Sequence, residues 1–380
     1  MYFIILLGIV SLFGDVTYEG ARSVTGPYLG YTLGASPGVV SLVAGIGEFA
    51  GYGLRLASGY LADRTKAYWP LTFIGYGLLL SIPLLAFAGY WQLAAVLIIL
   101  ERMGKAIRSP ARDTMLSYAA KGVGRGWGFA VHEALDQIGA IIGPIIFSLV
   151  LLFHGDYREG FTLLWIPALL TLAVLALARK KFPSPQKLEI PEEASRQNIQ
   201  GKLPRIFWLY TVFTLFSVAG FANFQLISYH LKVQSIVPDA QIPIIYAIAM
   251  GVDALAALLA GKTYDRIGLI SLLAVPLLTL PTPFLAFSHS YSLVLIGMAL
   301  WGVVMGIQET IMRAAIADLT PVERRGFAYG IFNTAYGASL FLGAALMGLL
   351  YELSINYLIL FAVVMELISI PLFLLVRKEA

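Results

Sequence analysis

The chain has 380 residues, of which 59% are hydrophobic and only 13% charged, with a mean hydropathy of +0.80. A soluble domain needs a far more polar surface, so this composition makes lipid the solvent for most of the chain. The formal net charge is only +4, and the absence of cysteine excludes disulfides, thiolate metal sites and cysteine nucleophiles.

A spanning helix needs ~20 mostly apolar residues. Twelve stretches meet that need: 2–29, 37–62, 69–89, 91–113, 126–153, 161–178, 204–231, 241–262, 269–287, 290–316, 326–352 and 355–377. They are continuous and rich in Leu, Ala and Gly, whereas the strands of a membrane barrel alternate over ~10 residues. An all-α membrane protein is therefore expected. The first stretch lacks the basic n-region and small-residue cleavage site of a signal peptide and reads as a retained span.

Charges inside these spans are costly, at ~2.5–3.5 kcal/mol each near the bilayer centre. In the first span Asp15, Glu19 and Arg22 share one face at i, i+4 and i+7. The second carries Glu48 and Arg55, and the fifth His132 and Asp136 with Gly139 and Gly143 continuing their face. The densest segment is "ERMGKAIRSPARD", residues 101–113, in the cytoplasmic half of the fourth span. Setting Glu101 at zero, Lys105 falls at ~40°, Arg108 at ~340° and Arg112 at ~20°, one narrow stripe with Arg102 to its side. Such a stripe must face protein or a water-filled cavity rather than lipid. The second half of the chain is poorer in charge away from the span ends, with Asp253, Glu309, Arg313 and Glu366 beside the neutral Asn223, Gln225, Gln308 and Asn333.

Basic residues alternate between the connections. Arg64 and Lys66, Lys121 and Arg125, Lys262 and Arg266, Arg324 and Arg325, and Arg377 and Lys378 mark one side, and residues 179–205 add seven more. The turns near Ser36, Gly89, Ser288 and Ser354 carry none, and only Arg158 and Lys232 lie close to that side. The positive-inside rule then puts both termini in the cytoplasm.

The sequence also repeats. "GYLADRTK" from Gly59 returns as "GKTYDRIG" from Gly261, so that Asp63 and Asp265 stand 202 positions apart. "RGWGFA" from Arg125 and "RGFAYG" from Arg325 are offset by 200, and Arg112 and Arg313 by 201. A duplicated six-helix unit is implied: an N-terminal bundle over 1–178, a linker over 179–204 and a C-terminal bundle over 205–380.

Twelve spans in two sixes, with G-x-x-x-D-R after the second and the eighth, resemble the major facilitator superfamily over the whole chain. Lys66 stands where that family has glycine, while the second copy keeps Gly268. "GAIIGP", Gly139 to Pro144, resembles the core of the motif associated with antiporters, although Phe147 and Ser148 replace its flanking glycines. "ERMGKA" resembles the fourth-span motif of proton-linked exporters, with Arg102 at the arginine. What the resemblance implies is a secondary transporter without cofactor, in the plasma or inner membrane. It would move a small organic molecule by alternating access, by proton-coupled antiport and efflux; proton-coupled uptake of an organic anion held by the basic stripe is the alternative. Expected partners are the substrate, protons and lipid, with no nucleic acid, and the expected state is a monomer.

Site assignments follow from chemistry. Burial disfavours the charged form of a carboxylate and a nearby arginine favours it, so making or breaking that contact switches proton affinity. Asp15, Glu19, Glu48 and Asp136 are the proton-coupling candidates; a permanent salt bridge fixing helix register is the competing reading. Arg22, Glu101, Arg102, Lys105, Arg108 and His132 are the substrate-binding candidates, arginine being suited to planar anions. The first, second, fourth and fifth spans hold seven acids and six bases, which favours mutual neutralisation over anion binding. Asp63, Arg64, Arg112, Asp113, Asp265, Arg266 and Arg313 lie at the cytoplasmic mouth, where the resemblance implies a latch for Asp63 and Arg112. His230 and His289 are expected to be solvated near the outer surface. A membrane enzyme would show a nucleophile–base pair or metal ligands, and a receptor a soluble domain; no spacing or loop supplies either.

Overall fold

A computed structural model describes residues 1–120, 125–153, 155–185, 203–320 and 325–379. The first half contains α1 (Tyr2–Pro27), α2 (Pro37–Thr65), α3 (Tyr68–Gly77), α4 (Trp91–Ala120), α5 (Arg125–Phe153), α6 (Tyr157–Leu163) and α7 (Trp165–Lys181). The second contains α8 (Arg205–Ala219), α9 (Phe224–Val233), α10 (Gln241–Ile267), α11 (Ala274–Thr279), α12 (Thr282–Ala286), α13 (Tyr291–Leu319), α14 (Arg325–Leu353) and α15 (Ile355–Glu379). Short 3₁₀ turns follow α3 and α10, and one π turn follows α1. Among the described residues there is no strand, as lipid requires of a chain that satisfies its backbone helically.

Among the described residues, ten helical runs are long and apolar enough to cross a membrane, where the sequence suggested twelve. Two local features bear on the difference. The charged stripe removes α4 from the group. Residues 241–286 form one run of 46 residues, which would reach ~69 Å if straight, about twice the ~30 Å hydrocarbon core. Gly268, at φ +61°, divides it. Outward-facing side chains are those of a lipid surface: Leu152, Phe153, Leu255 and Leu258 are 65 to 76% exposed. Charges are found inside instead, with Asp15, Glu19, Glu101, Arg102 and Arg108 all buried.

Two helices that carry repeated sequence also share their boundaries. Helices α5 and α14 have 29 residues each and begin 200 positions apart, at 125 and 325. The loop copies match in backbone as well: Lys66 takes φ +54° and Gly268 φ +61°, the left-handed region that favours glycine.

By contacts the chain forms two compact units. The first comprises Met1–Gly34, Ala50–Ser195 and Asp239–Ala247, and the second Ala35–Phe49, Arg196–Pro238 and Ile248–Ala380. The first turns of α2 thus pack with the second unit, where Glu352 accepts from the Gly38 amide at 2.9 Å and Ser41 from Asn223 at 2.7 Å. The first turns of α10 pack reciprocally in the first unit.

Candidate functional site: a buried charge network in the first unit

The first unit is built on the pairing of α1 with α5, and glycine permits it. A Cβ at Gly139 would run into the Leu12 carbonyl, and one at Gly143 would lie 2.8 Å from the Gly20 nitrogen. This approach brings the acidic face of α1 to that of α5, and α4 closes over both. Asp15 is then within electrostatic reach of Asp136, Lys105, Glu19 and Arg108. Asp136 is in turn within reach of Arg112, His132 and Lys105. Ser11, one turn before Asp15, accepts from Arg112 at 2.7 Å and donates to Asp136. The other Asp136 oxygen, Oδ1, is buried without a hydrogen-bond partner.

Along the α4 stripe the charges pair in sequence. Arg108 meets Glu101 at 3.2 Å, donates to the Gly75 carbonyl at 3.3 Å and lies 4.7 Å from the centre of the Tyr76 ring. Both members of that pair are essentially inaccessible. Arg112 meets Asp113 at 2.9 Å. Lys105 and Arg102 turn to α1, where they stand 4.5 and 4.6 Å from the Tyr18 ring centre, with Arg22 at 5.9 Å. Cations over an aromatic face are attracted by its quadrupole. Arg22 is also 3.6 Å from Glu19, whose Oε2 accepts a 2.6 Å hydrogen bond from Tyr246 of α10. His132 is buried with Nε2 unpartnered, within electrostatic range of Arg112, Asp136 and Asp113.

The structure therefore gathers Asp15, Glu19, Arg22, Glu101, Arg102, Lys105, Arg108, Arg112, Asp113, His132 and Asp136 into one network. Its acids and permanent bases number five each. Glu48 is half-buried and belongs to the segment of α2 that packs with the second unit. Arg64, Asp265 and Arg266 are exposed, and the side chains of Asp63 and Arg313 lie outside the described residues, as do residues 186–202 of the linker. Four participants were not expected. Ser11 and Tyr18 lie on α1 beside charges already noted and were open to the same helical counting. Tyr76 and Tyr246 come from distant sequence, and nothing local marks them.

The second unit buries polarity differently. Glu366 is fully buried, and its Oε2 accepts from Ser217 and Ser369, each at 3.2 Å. Gln308 accepts from Tyr336 at 3.1 Å. An apolar cavity of about 320 Å³ is lined by Val252, Leu255, Leu259, Val303, Ile307 and Ile311 among others. His230 corrects an expectation: it is fully buried, 2.9 Å from the Tyr351 hydroxyl and 5.3 Å centre-to-centre from the Phe287 ring, whereas His289 is exposed. The short α9 turns that imidazole inward, away from solvent.

Ten apolar runs among the described residues, around a charged interior, are the build of a multi-pass membrane protein. A family model described as Major Facilitator Superfamily matches residues 6–308 and 237–380. The chain belongs to the major facilitator superfamily, and is therefore a multi-pass transporter of the cell membrane and not an enzyme. It is 42% identical over 380 residues to an uncharacterised protein of Mycobacterium tuberculosis, covering 99% of this chain and 93% of that one. An uncharacterised MFS-type transporter of Methanocaldococcus jannaschii is 28% identical over 378 residues, covering 96% and 92%. Among solved structures, a mutant of the nucleoside transporter NupG has a TM-score of 0.76 at 15% identity, covering 99% of both chains. The D-xylose-proton symporter has a TM-score of 0.70 at 15% identity, covering 97% of both. At such identities the solved structures establish the fold alone.

Proposed function

We propose that this protein is a proton-coupled secondary transporter that exports a small organic molecule by alternating access. We read twelve crossings in two six-helix bundles, with α4 as the fourth and the run 241–286 as the eighth and ninth, and with both termini cytoplasmic. The observation that carries the reading is the meeting of Asp15 and Asp136 around a common Lys105 inside a charge-balanced network. Two carboxylates answering to one lysine give a proton and a substrate alternative ways to balance the same charge, which is what coupling requires. Glu19, tied to Arg22, is the third carrier in this scheme, and Glu48 acts from the second unit. Asp63, Arg64, Arg112, Asp113, Asp265, Arg266 and Arg313 serve the cytoplasmic gate. The partial antiporter motif from Gly139 to Pro144 favours exchange of proton for substrate.

A second reading has its own observation. Three cations, Arg22, Arg102 and Lys105, converge on Tyr18, an arrangement suited to an organic anion taken up with protons. The two readings differ in the sign of the pH gradient that drives flux. The test is a ligand-stabilisation screen followed by flux of the hits in proteoliposomes under an imposed gradient. Export predicts substrate moving against the proton gradient, with coupling lost in Asp15→Asn and Asp136→Asn. Flux of every hit that ignores the gradient, and is unchanged in both variants, removes the proton reading.

A further inference from the structure

We infer that Tyr246 is the positioning residue through which the charge on Glu19 reaches α10; this rests on the proton-coupled reading above. Glu19 and Tyr246 are 6% and 0% exposed, and the phenol donates to Glu19 Oε2 at 2.6 Å. A phenol–carboxylate bond this short belongs to the charge-assisted kind, roughly twice as strong as a neutral one. A proton on Glu19 removes the charge that strengthens it.

Tyr246 comes from the second half of the sequence but packs in the first unit. The start of α10 is tied there by three side-chain bonds. Ser148 donates to the Ala240 carbonyl at 2.5 Å, Tyr157 to Asp239 at 3.2 Å, and Tyr246 to Glu19. Of the three, only the Tyr246 bond ends on a charged group of the α1–α4–α5 network. From Ile248 onward the same continuous helix belongs to the second unit. The charge of one carboxylate thus biases a helix that both units share.

The groups around Glu19 are consistent with that role. Asp15 and Arg22 face it from α1, Tyr246 from α10, and Tyr18 stands next to it with Arg102 and Lys105 of α4 on its ring. From α5 comes the backbone of Gly143, packed on Gly20. Tyr246 is the neutral donor among these, and so it reports the charge of Glu19 without replacing it.

Because the chain has no cysteine, a single introduced thiol is a unique probe. Gly251 lies on α10 just beyond the crossover, and a side chain added there meets open space. In the full chain carrying Gly251→Cys, the thiol-labelling rate is followed against pH in proteoliposomes without substrate or gradient, each rate taken relative to the same thiol in the denatured chain so that thiol ionisation cancels. The expected result is a pH-dependent rate that Tyr246→Phe flattens, by up to roughly tenfold, the population shift that a charge-assisted hydrogen bond supports. Glu19→Gln should flatten it equally, and the double variant should add nothing. A Tyr246→Phe profile that keeps the unsubstituted chain's pH dependence, or effects of the two substitutions that simply add, overturns the inference. So does a rate indifferent to pH before any substitution at these two positions. Failure of the proton reading is seen separately, as flux that ignores an imposed gradient.

Discussion

In the first unit the buried polar groups are ions in company: Glu101 with Arg108, Glu19 with Arg22, and Asp15 and Asp136 around Lys105. In the second, three of them are held by hydroxyls, Glu366 by Ser217 and Ser369, His230 by Tyr351 and Gln308 by Tyr336, and Asp253 is buried as well. The ion pair described there, Arg205 with Glu379 at 3.4 Å, lies at the surface. The two units thus bury polar groups in different company. Asp15 and Asp136 each have more than one cation within reach, so a proton arriving or leaving there can be offset by charges already present. Among the described residues, Glu366 is held by two hydroxyls and by no cation. The difference can be tested by substitution.

The largest effect is expected where an ion loses its partner. Arg108→Ala strands Glu101, whose second oxygen is already without a hydrogen bond. Breaking a buried pair from one side costs about 3–5 kcal/mol. Thermal unfolding in detergent should show a large loss for Arg108→Ala, and the double substitution Glu101→Gln with Arg108→Met should recover most of it. If the single and double variants are equally unstable, Arg108 acts through packing on Tyr76 and not through charge.

The matching substitution in the second unit is expected to be mild. Glu366→Gln keeps an acceptor for Ser217 and Ser369 and supplies donors for the space beside Oε1, so the change should stay within ~1 kcal/mol. Unfolding midpoints of the two variants, measured side by side, give the comparison its number. A loss at Glu366 as large as at Arg108 would mean that the second unit also depends on a charged interior.

Most of this division was legible in the sequence, for a reason specific to membranes. Charges inside apolar runs are so unfavourable that their helical spacing alone placed Asp15, Glu19 and Arg22 on one face and the α4 stripe on the interior. The glycines at 139 and 143 were seen to continue the face of His132 and Asp136, but not which helix they would meet. What stayed hidden was anything set by distant contacts. Tyr246 lies 227 positions from Glu19, and no local pattern reports that the start of α10 would cross to the other unit.

The smallest expected effect concerns the loop copies, which share a backbone conformation and differ in chemistry. Lys66 and Gly268 take φ +54° and +61°, 202 positions apart. A side chain in that region crowds the following carbonyl and costs about 1–2 kcal/mol, which glycine avoids. Glycine also leaves a freer unfolded chain, which cancels part of the gain. Lys66→Gly should therefore raise stability by about 0.5–1 kcal/mol, and Gly268→Lys should lower it by a similar amount. Lys66 is exposed, so no packing term obscures the result. Opposite shifts in unfolding midpoint would show that the duplicated turn imposes its conformation on whichever residue fills it. Destabilisation by Lys66→Gly would show that the lysine gives that turn something worth more than its backbone strain.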